Sequence, residues 1–206
     1  MKKKLKHIAV AGNIGAGKTT LVKKLAEHYH WIPHLEAVDD NPYLADFYGN
    51  MAAWAFPLQI YFLNSRFNQV QEIRHSHETI IQDRTIYEDA HIFAKNLREA
   101  GQLDERDFQT YFALFKSMTR MIEAPDLLIY LKASIPTLIS QIARRGRNYE
   151  SSISIRYLED LNRHYEEWIG EYKEGNLLVI PVDDLDYVSR SEDLQVVIEH
   201  IDKALG

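Results

Sequence analysis

The octet "GNIGAGKT" at positions 12–19 constrains this chain more than any other stretch. It fits the pattern G-x-x-x-x-G-K-[ST], with Gly12, Gly17, Lys18 and Thr19 at the fixed places. Glycines let backbone N–H groups curl around phosphate oxygens with no Cβ in the way. A helix starting at the lysine aims its positive end at the anion. Lys18 adds a point charge for the outer phosphates, and Thr19 offers a hydroxyl to Mg²⁺. Gly12, Asn13, Ile14, Gly15, Ala16, Gly17, Lys18, Thr19 and Thr20 are therefore read as a cradle for a nucleoside triphosphate such as ATP. The flanks supply the required context. "HIAVAG" (7–12) reads as a short apolar strand, and "KTTLVKKLAEHYH" (18–30) carries Leu21, Val22 and Leu25 at helical spacing. A chance glycine-rich turn would need neither flank. The motif does not say what receives the phosphate.

The alternation of apolar runs and longer amphipathic stretches continues to the end of the chain. Strands are expected at 7–12, 31–38, 79–83, 126–132 and 176–182, with Pro33 confining the second to an edge. Helices are expected at 18–30, 51–77, 86–101, 104–124, 134–146, 154–173 and 189–205. Pro57 is a candidate bend, Asp104 and Ser134 are candidate caps, Pro136 suits a first turn, and Gly101 suits a helix end. This order predicts an α/β fold: a five-stranded parallel sheet with helices on both faces, in one domain spanning 1–206. Helices 51–77 and 104–124 carry more apolar residues than one sheet face needs. They read either as a packed core or as a surface joining two copies of the chain.

Composition removes several classes of function. There is no cysteine, so disulfides, thiolate metal sites and cysteine nucleophiles are all excluded. A net charge of −6 argues against a broad nucleic-acid-binding face. The apolar runs are too short to span a membrane, and the basic start "MKKKLK" leads into glycines rather than a secretory core. A cytoplasmic location is expected.

Phosphoryl transfer to a hydroxyl calls for a base, positive charge on the moving group, and a metal. Glu36 closes a short strand, where ligands bind in open parallel sheets, and suits the base. It competes with the reading of a solvated loop carboxylate, which fits Asp39 and Asp40 better. Asp83 and Arg84 end an apolar strand at "IIQDR", suited to holding Mg²⁺ and to stabilising charge, against the reading of a surface ion pair. Arg144, Arg145 and Arg147 cluster in a polar loop over 144–152 that suits a lid, or else a solvated basic turn. Glu88 has no evident task and is expected on the surface.

Taken together, "GNIGAGKT", "LEAV", Tyr48, "PLQIYFLNSRF", "DRTIYED", "RRGRNYE" and "YLEDLNRHYEEW" resemble the deoxyribonucleoside kinases, the family of deoxycytidine, deoxyguanosine and deoxyadenosine kinases. The resemblance runs from the phosphate loop to about residue 172 and is nearest to the bacterial deoxyadenosine/deoxycytidine branch. It implies a P-loop kinase fold with a short arginine-rich lid. It also implies ATP with Mg²⁺, a homodimer, and transfer of phosphate to the 5′-hydroxyl of a deoxynucleoside, deoxyadenosine first and deoxycytidine or deoxyguanosine next. It implies roles by position: Glu36 as base, Arg84 beside the reacting phosphate, and Asp83 with Thr19 at the metal. Tyr48 and Glu150 fall to the sugar 3′-hydroxyl, Gln59 to the base edge, Arg66 with Asp89 beside it, Phe93 to stacking, and Arg145 and Arg147 to the lid.

The chain departs from the pattern at three places: Ala37 follows the base where proline is usual, Gln141 replaces a lid arginine, and Ala90 replaces an arginine beside Asp89. Two rival readings remain. A thymidylate-kinase-like enzyme would need cations where Glu36, Tyr48 and Glu150 stand, and a non-catalytic nucleotide-binding regulator would need no acceptor-side residues.

Overall fold

The computed structural model describes residues 5–36, 41–146 and 153–206. Five strands form one parallel sheet in the order β2-β3-β1-β4-β5, with β1 at His7–Gly12, β2 at Ile32–His34, β3 at Ile80–Asp83, β4 at Leu127–Lys132 and β5 at Asn176–Pro181. The interleaved helices are α1 (Lys18–Tyr29), α2 (Leu44–Gly49), α3 (Met51–His75), α4 (Ile86–Glu88), α5 (Lys95–Glu99), α6 (Glu105–Thr119), α7 (Ile135–Arg145), α8 (Ile155–Glu171) and α9 (Ser191–Leu205). A π-helical segment, Asp89–Ala94, joins α4 to α5.

Strand alternation explains the layering. Ile8 and Val10 of β1 pack into one cluster with Leu21, Val22 and Leu25 of α1 and Ile198 and Ile201 of α9. Ala9 and Ala11 point the other way, into a cluster with Ile92, Leu161, Tyr165 and Trp168. All six β1 residues are buried, as expected of a strand covered on both faces. The alanines leave room for Tyr165, which stacks on Tyr130 of β4 with ring centroids 5.7 Å apart. A third cluster packs α2, α3, α6 and the π segment together, through residues such as Phe47, Leu58, Ala90 and Tyr111.

The connection after β1 leads toward β2 and the one after β3 crosses to β4, so the chain leaves these neighbours in opposite directions. That opens a crevice at their carboxyl ends. Val10 pairs with Asp83 across it, and the Arg84 N–H bonds the Val10 carbonyl at 2.9 Å.

Local departures from the expected elements have physical reasons. α3 runs unbroken through Pro57, which replaces one N–H donor without ending the helix. Asp104 caps α6 through the Asp107 N–H, whereas the Ser134 hydroxyl meets Thr137 Oγ1 rather than a backbone N–H. The stretch 86–101 is not a uniform α-helix, because the π segment interrupts it. The short helix α2 was not expected. Ala37, Asp39, Asp40, Arg147 and Glu150, with most of the expected lid, lie outside the described residues.

Candidate active site

The phosphate loop is built as its glycines require. Gly12, Gly15 and Gly17 have φ of 151°, 86° and 90°. A Cβ on Gly17 would come within 2.1 Å of the Tyr187 hydroxyl, so the loop is closed to side chains as well as strained for them. Asn13 fastens the loop to α8: its Nδ2 donates to the Leu158 carbonyl and to Asn162 Oδ1, both at 3.0 Å. Lys18 Nζ donates to the Asn13 carbonyl at 3.0 Å. Burial and the nearby Arg84 lower the Lys18 pKa to about 8, against the pull of Asp83, Glu36 and Glu88. Thr19 Oγ1 donates to Asp83 Oδ2 at 2.5 Å, while Asp83 Oδ1 is buried without a hydrogen-bond partner.

Beside the loop stands a line of alternating charges. Asp89 Oδ2 lies 3.3 Å from Arg66 Nε, and Arg66 Nη2 donates to Glu36 Oε1 at 2.6 Å. The same oxygen lies 3.1 Å from Arg84 Nε, and Arg84 Nη1 lies 3.7 Å from Glu88 Oε1. Burial pushes the Glu36 pKa up, but Arg84, Arg66 and Lys18 together hold it at about 2. Asp89 goes the other way: burial raises it to about 7 although Arg66 and Arg84 oppose this. Arg84 stays charged despite burial because Tyr165, Glu36, Glu88 and Asp83 surround it. Its φ is 71°, in the region that strains residues with side chains, and its guanidinium sits 4.5 Å from the Phe93 ring centroid.

A cavity of about 520 Å³ joins the two halves. Its wall includes Gly15, Gly17, Lys18, Thr19, Thr20, Glu36, Tyr48, Gln59, Arg84, Asp89, Phe93 and Arg145. Every expected site residue among these comes to one place from different elements. Arg66 supports the wall from behind, through Glu36 and Asp89. Gln59 is buried, and its Oε1 has no hydrogen-bond partner. The wall also holds residues the sequence did not single out, including Leu44, Phe47, Leu58, Phe62, Tyr157 and Val188, while Gln141 and Arg144 line the α7 side. Leu58 beside Gln59 and Phe62 one turn before Arg66 were legible as neighbours; Phe47 and Val188 carried no signal.

The expectation for Glu88 was wrong. Its side chain is wholly buried and forms a capping box with Thr85. The helix start at Thr85 and the charge line through Arg84 take up its carboxylate.

A second polar chain, partly buried, links α3 to the sheet. Gln69 Nε2 donates to the Leu35 carbonyl at 3.1 Å, next to Glu36. That leaves Gln69 Oε1 to accept from Gln82 Nε2 at 3.0 Å, and Gln82 Oε1 to accept from His7 Nε2 at 2.9 Å. Burial lowers the His7 pKa to about 4, so the ring is neutral, with its proton on Nε2.

The model of the family described as "Deoxynucleoside kinase" matches residues 8–205. The chain belongs to the deoxynucleoside kinase family. It is 38% identical over 196 residues to the deoxyadenosine/deoxycytidine kinase of Bacillus subtilis (strain 168), covering 94% of this chain and 90% of the relative. To the deoxyguanosine kinase of Lactobacillus johnsonii it is 36% identical over 203 residues, with 94% and 90% covered. The solved deoxyadenosine kinase of M. mycoides with bound dATP superposes with a TM-score of 0.84 at 30% identity, covering 96% of this chain and 99% of that one. The chain is thus a deoxynucleoside kinase, a phosphotransferase that uses a nucleotide phosphate donor. Among the described residues, no helix is long and apolar enough to cross a membrane.

Proposed function

We propose that this kinase transfers the γ-phosphoryl group of ATP to the 5′-hydroxyl of a deoxynucleoside, with deoxyadenosine preferred and deoxycytidine or deoxyguanosine next. The observation that carries this reading is that Glu36 lines the same cavity as the phosphate loop and Gln59, whose buried Oε1 has no hydrogen-bond partner. Glu36 takes the hydroxyl proton as the 5′-oxygen bonds to the γ-phosphorus and the bond to the β-phosphate oxygen breaks. Its low pKa suits a loose transition state, in which the attacking oxygen needs little deprotonation beforehand. The phosphate loop and Lys18 hold the donor phosphates, and Arg84 faces the group in transit.

Gln59 reads the base through one donor and one acceptor, Phe93 stacks on it, and Arg66 with Asp89 fixes the base edge. Tyr48 serves the sugar, joined by Glu150, and Arg145 and Arg147 close over the donor. Thr19 and the unpaired Asp83 Oδ1 fit a hard cation that prefers oxygen ligands. Among the described residues no cluster of three or more acidic or histidine groups would hold a metal by itself, so phosphate oxygens would complete the set. Mg²⁺ would neutralise charge on those phosphates.

Deoxyadenosine heads the list because the M. mycoides enzyme is named for it alone and the B. subtilis relative for it together with deoxycytidine. Steady-state turnover of the four deoxynucleosides, their ribose analogues and deoxythymidine monophosphate with ATP and Mg²⁺ tests the reading. The highest kcat/KM is expected for deoxyadenosine. Turnover of the monophosphate alone would overturn it.

The same enzyme is proposed to be a cytosolic homodimer joined through α3 and α6, where Leu114 is exposed on α6 beside half-buried Phe112, and Met121 is exposed just past the end of that helix. Light scattering at micromolar concentration should give the dimer mass.

A further inference from the structure

Glu88 has no part in the chemistry proposed above, yet its carboxylate is wholly buried at the centre of the site. Oε2 accepts from the Thr85 N–H at 2.7 Å and from Thr85 Oγ1 at 3.1 Å. Oε1 accepts from the Tyr165 hydroxyl at 2.8 Å and from the Gly12 N–H at 3.3 Å. A carboxylate offers about four acceptor positions, and here four donors meet them.

The donors share a location. Gly12 is where β1 becomes the phosphate loop. Thr85 follows Arg84, the residue with left-handed backbone, and its N–H bond to Glu88 pins the turn just past the strained position. Tyr165 accepts from Arg84 Nη1 at 2.9 Å while its own proton lies between Glu88 and the Gly12 carbonyl, which is 2.8 Å away. Each oxygen of Glu88 therefore grips a different wall: one the turn that presents Arg84, the other the root of the phosphate loop. A capping box needs only the first grip. The second joins residues 76 positions apart in the sequence.

Resting on the reading of Arg84 above, we propose that Glu88 is a positioning residue for phosphoryl transfer. It fixes the separation between the phosphate loop and Arg84, through Gly12 on one side and through Thr85 and Tyr165 on the other. Glutamine is no substitute. Its amide would turn N–H groups toward either the Thr85 N–H or the Gly12 N–H, setting donor against a backbone donor that cannot turn away.

The test compares the full-length wild type with Glu88→Gln, Glu88→Asp, Tyr165→Phe and Arg84→Met. It measures kcat, KM for ATP, KM for deoxyadenosine and melting temperature. Glu88→Gln is expected to lose about 10–100-fold in kcat and to raise the KM for ATP, because small misplacements of a phosphate-facing group cost on that order. The KM for deoxyadenosine should stay within about twofold, since Gln59, Phe93 and Tyr48 are untouched. Glu88→Asp keeps the charge and should recover part of kcat, and Tyr165→Phe should show a smaller deficit on the ATP side. A merely structural Glu88 would lower the melting temperature and move both KM values together, or leave kcat within about twofold of wild type; either overturns the proposal. If Glu88→Gln does not fold, Tyr165→Phe with unchanged kinetics overturns it. Full turnover by Arg84→Met would instead sink the reading of Arg84. An inactive Arg84→Met beside a fully active Glu88→Gln sinks only the role of Glu88.

Discussion

The phosphate side and the nucleoside side of this cavity are built by different strategies. The phosphate side is one contiguous loop between β1 and α1, seated on the sheet core. The proposed nucleoside side draws Glu36 from beyond β2, Tyr48 from α2, Gln59 from α3 with Arg66 behind it, and Asp89 and Phe93 from the π segment. A loop that binds with its backbone tolerates little variation in sequence, because glycine freedom is its working part. A wall assembled from side chains on four elements can change one contact at a time. The donor is thus expected to be common to relatives, while the base varies with one or two wall residues.

Substitutions can break this division. The largest effect is expected from Glu36→Gln, where turnover should fall about 10²–10⁴-fold while deoxynucleoside binding persists, as read by rapid-quench assay and calorimetry. Unchanged turnover would return Glu36 to the ion-pair line with no catalytic part. Gln59→Leu comes next: KM for the deoxynucleoside should rise about 10–100-fold with the KM for ATP unchanged, since a buried polar partner is lost on one side only. A matching rise for ATP would show that the two sides are not separable.

Asp89→Asn sharpens the comparison through pH. Asp89 carries its proton to about 7 in the fold, against an ordinary value of 3.8. A raised pKa stabilises the fold below the ordinary value, and that contribution is lost as pH rises through the folded one. The melting temperature of wild type relative to Asp89→Asn should therefore fall between pH 4 and pH 8. A constant difference would mean the aspartate is ionised throughout. The smallest effect belongs outside both regions. Lys132 and Glu166 pair at 2.6 Å with both side chains about half exposed, so Lys132→Met should shift stability by under about 1 kcal/mol and leave kinetics alone.

The sequence made the two regions legible to different degrees for the same reason. "GNIGAGKT" is local, so its geometry follows from its own residues. The central strands β3, β1 and β4 were also legible, because strands covered on both faces leave continuous apolar runs, whereas the largely exposed edge strand β2 spans only Ile32–His34 of the expected 31–38. Gln59 and Arg66 were readable as one face of α3, seven residues apart. The π segment was not, since "DAHIFA" has ordinary helical composition and its wider winding comes from packing. Nor was α2, six residues with a single buried side chain, Phe47. Glu88 was misplaced because its partners Gly12 and Tyr165 lie on other elements, and nothing near it in sequence announces a buried acceptor.

The amide chain from His7 to Leu35 has a consequence for how such a protein can diverge. Each of Gln69 and Gln82 spends one donor and one acceptor on its neighbours, and His7 must present Nε2–H. Neither glutamine can be exchanged for an acid, a base or an aliphatic without stranding a neighbour. The three positions act as one unit, so a change at one calls for a matching change at the next if the Leu35 carbonyl, beside Glu36, is to keep its partner.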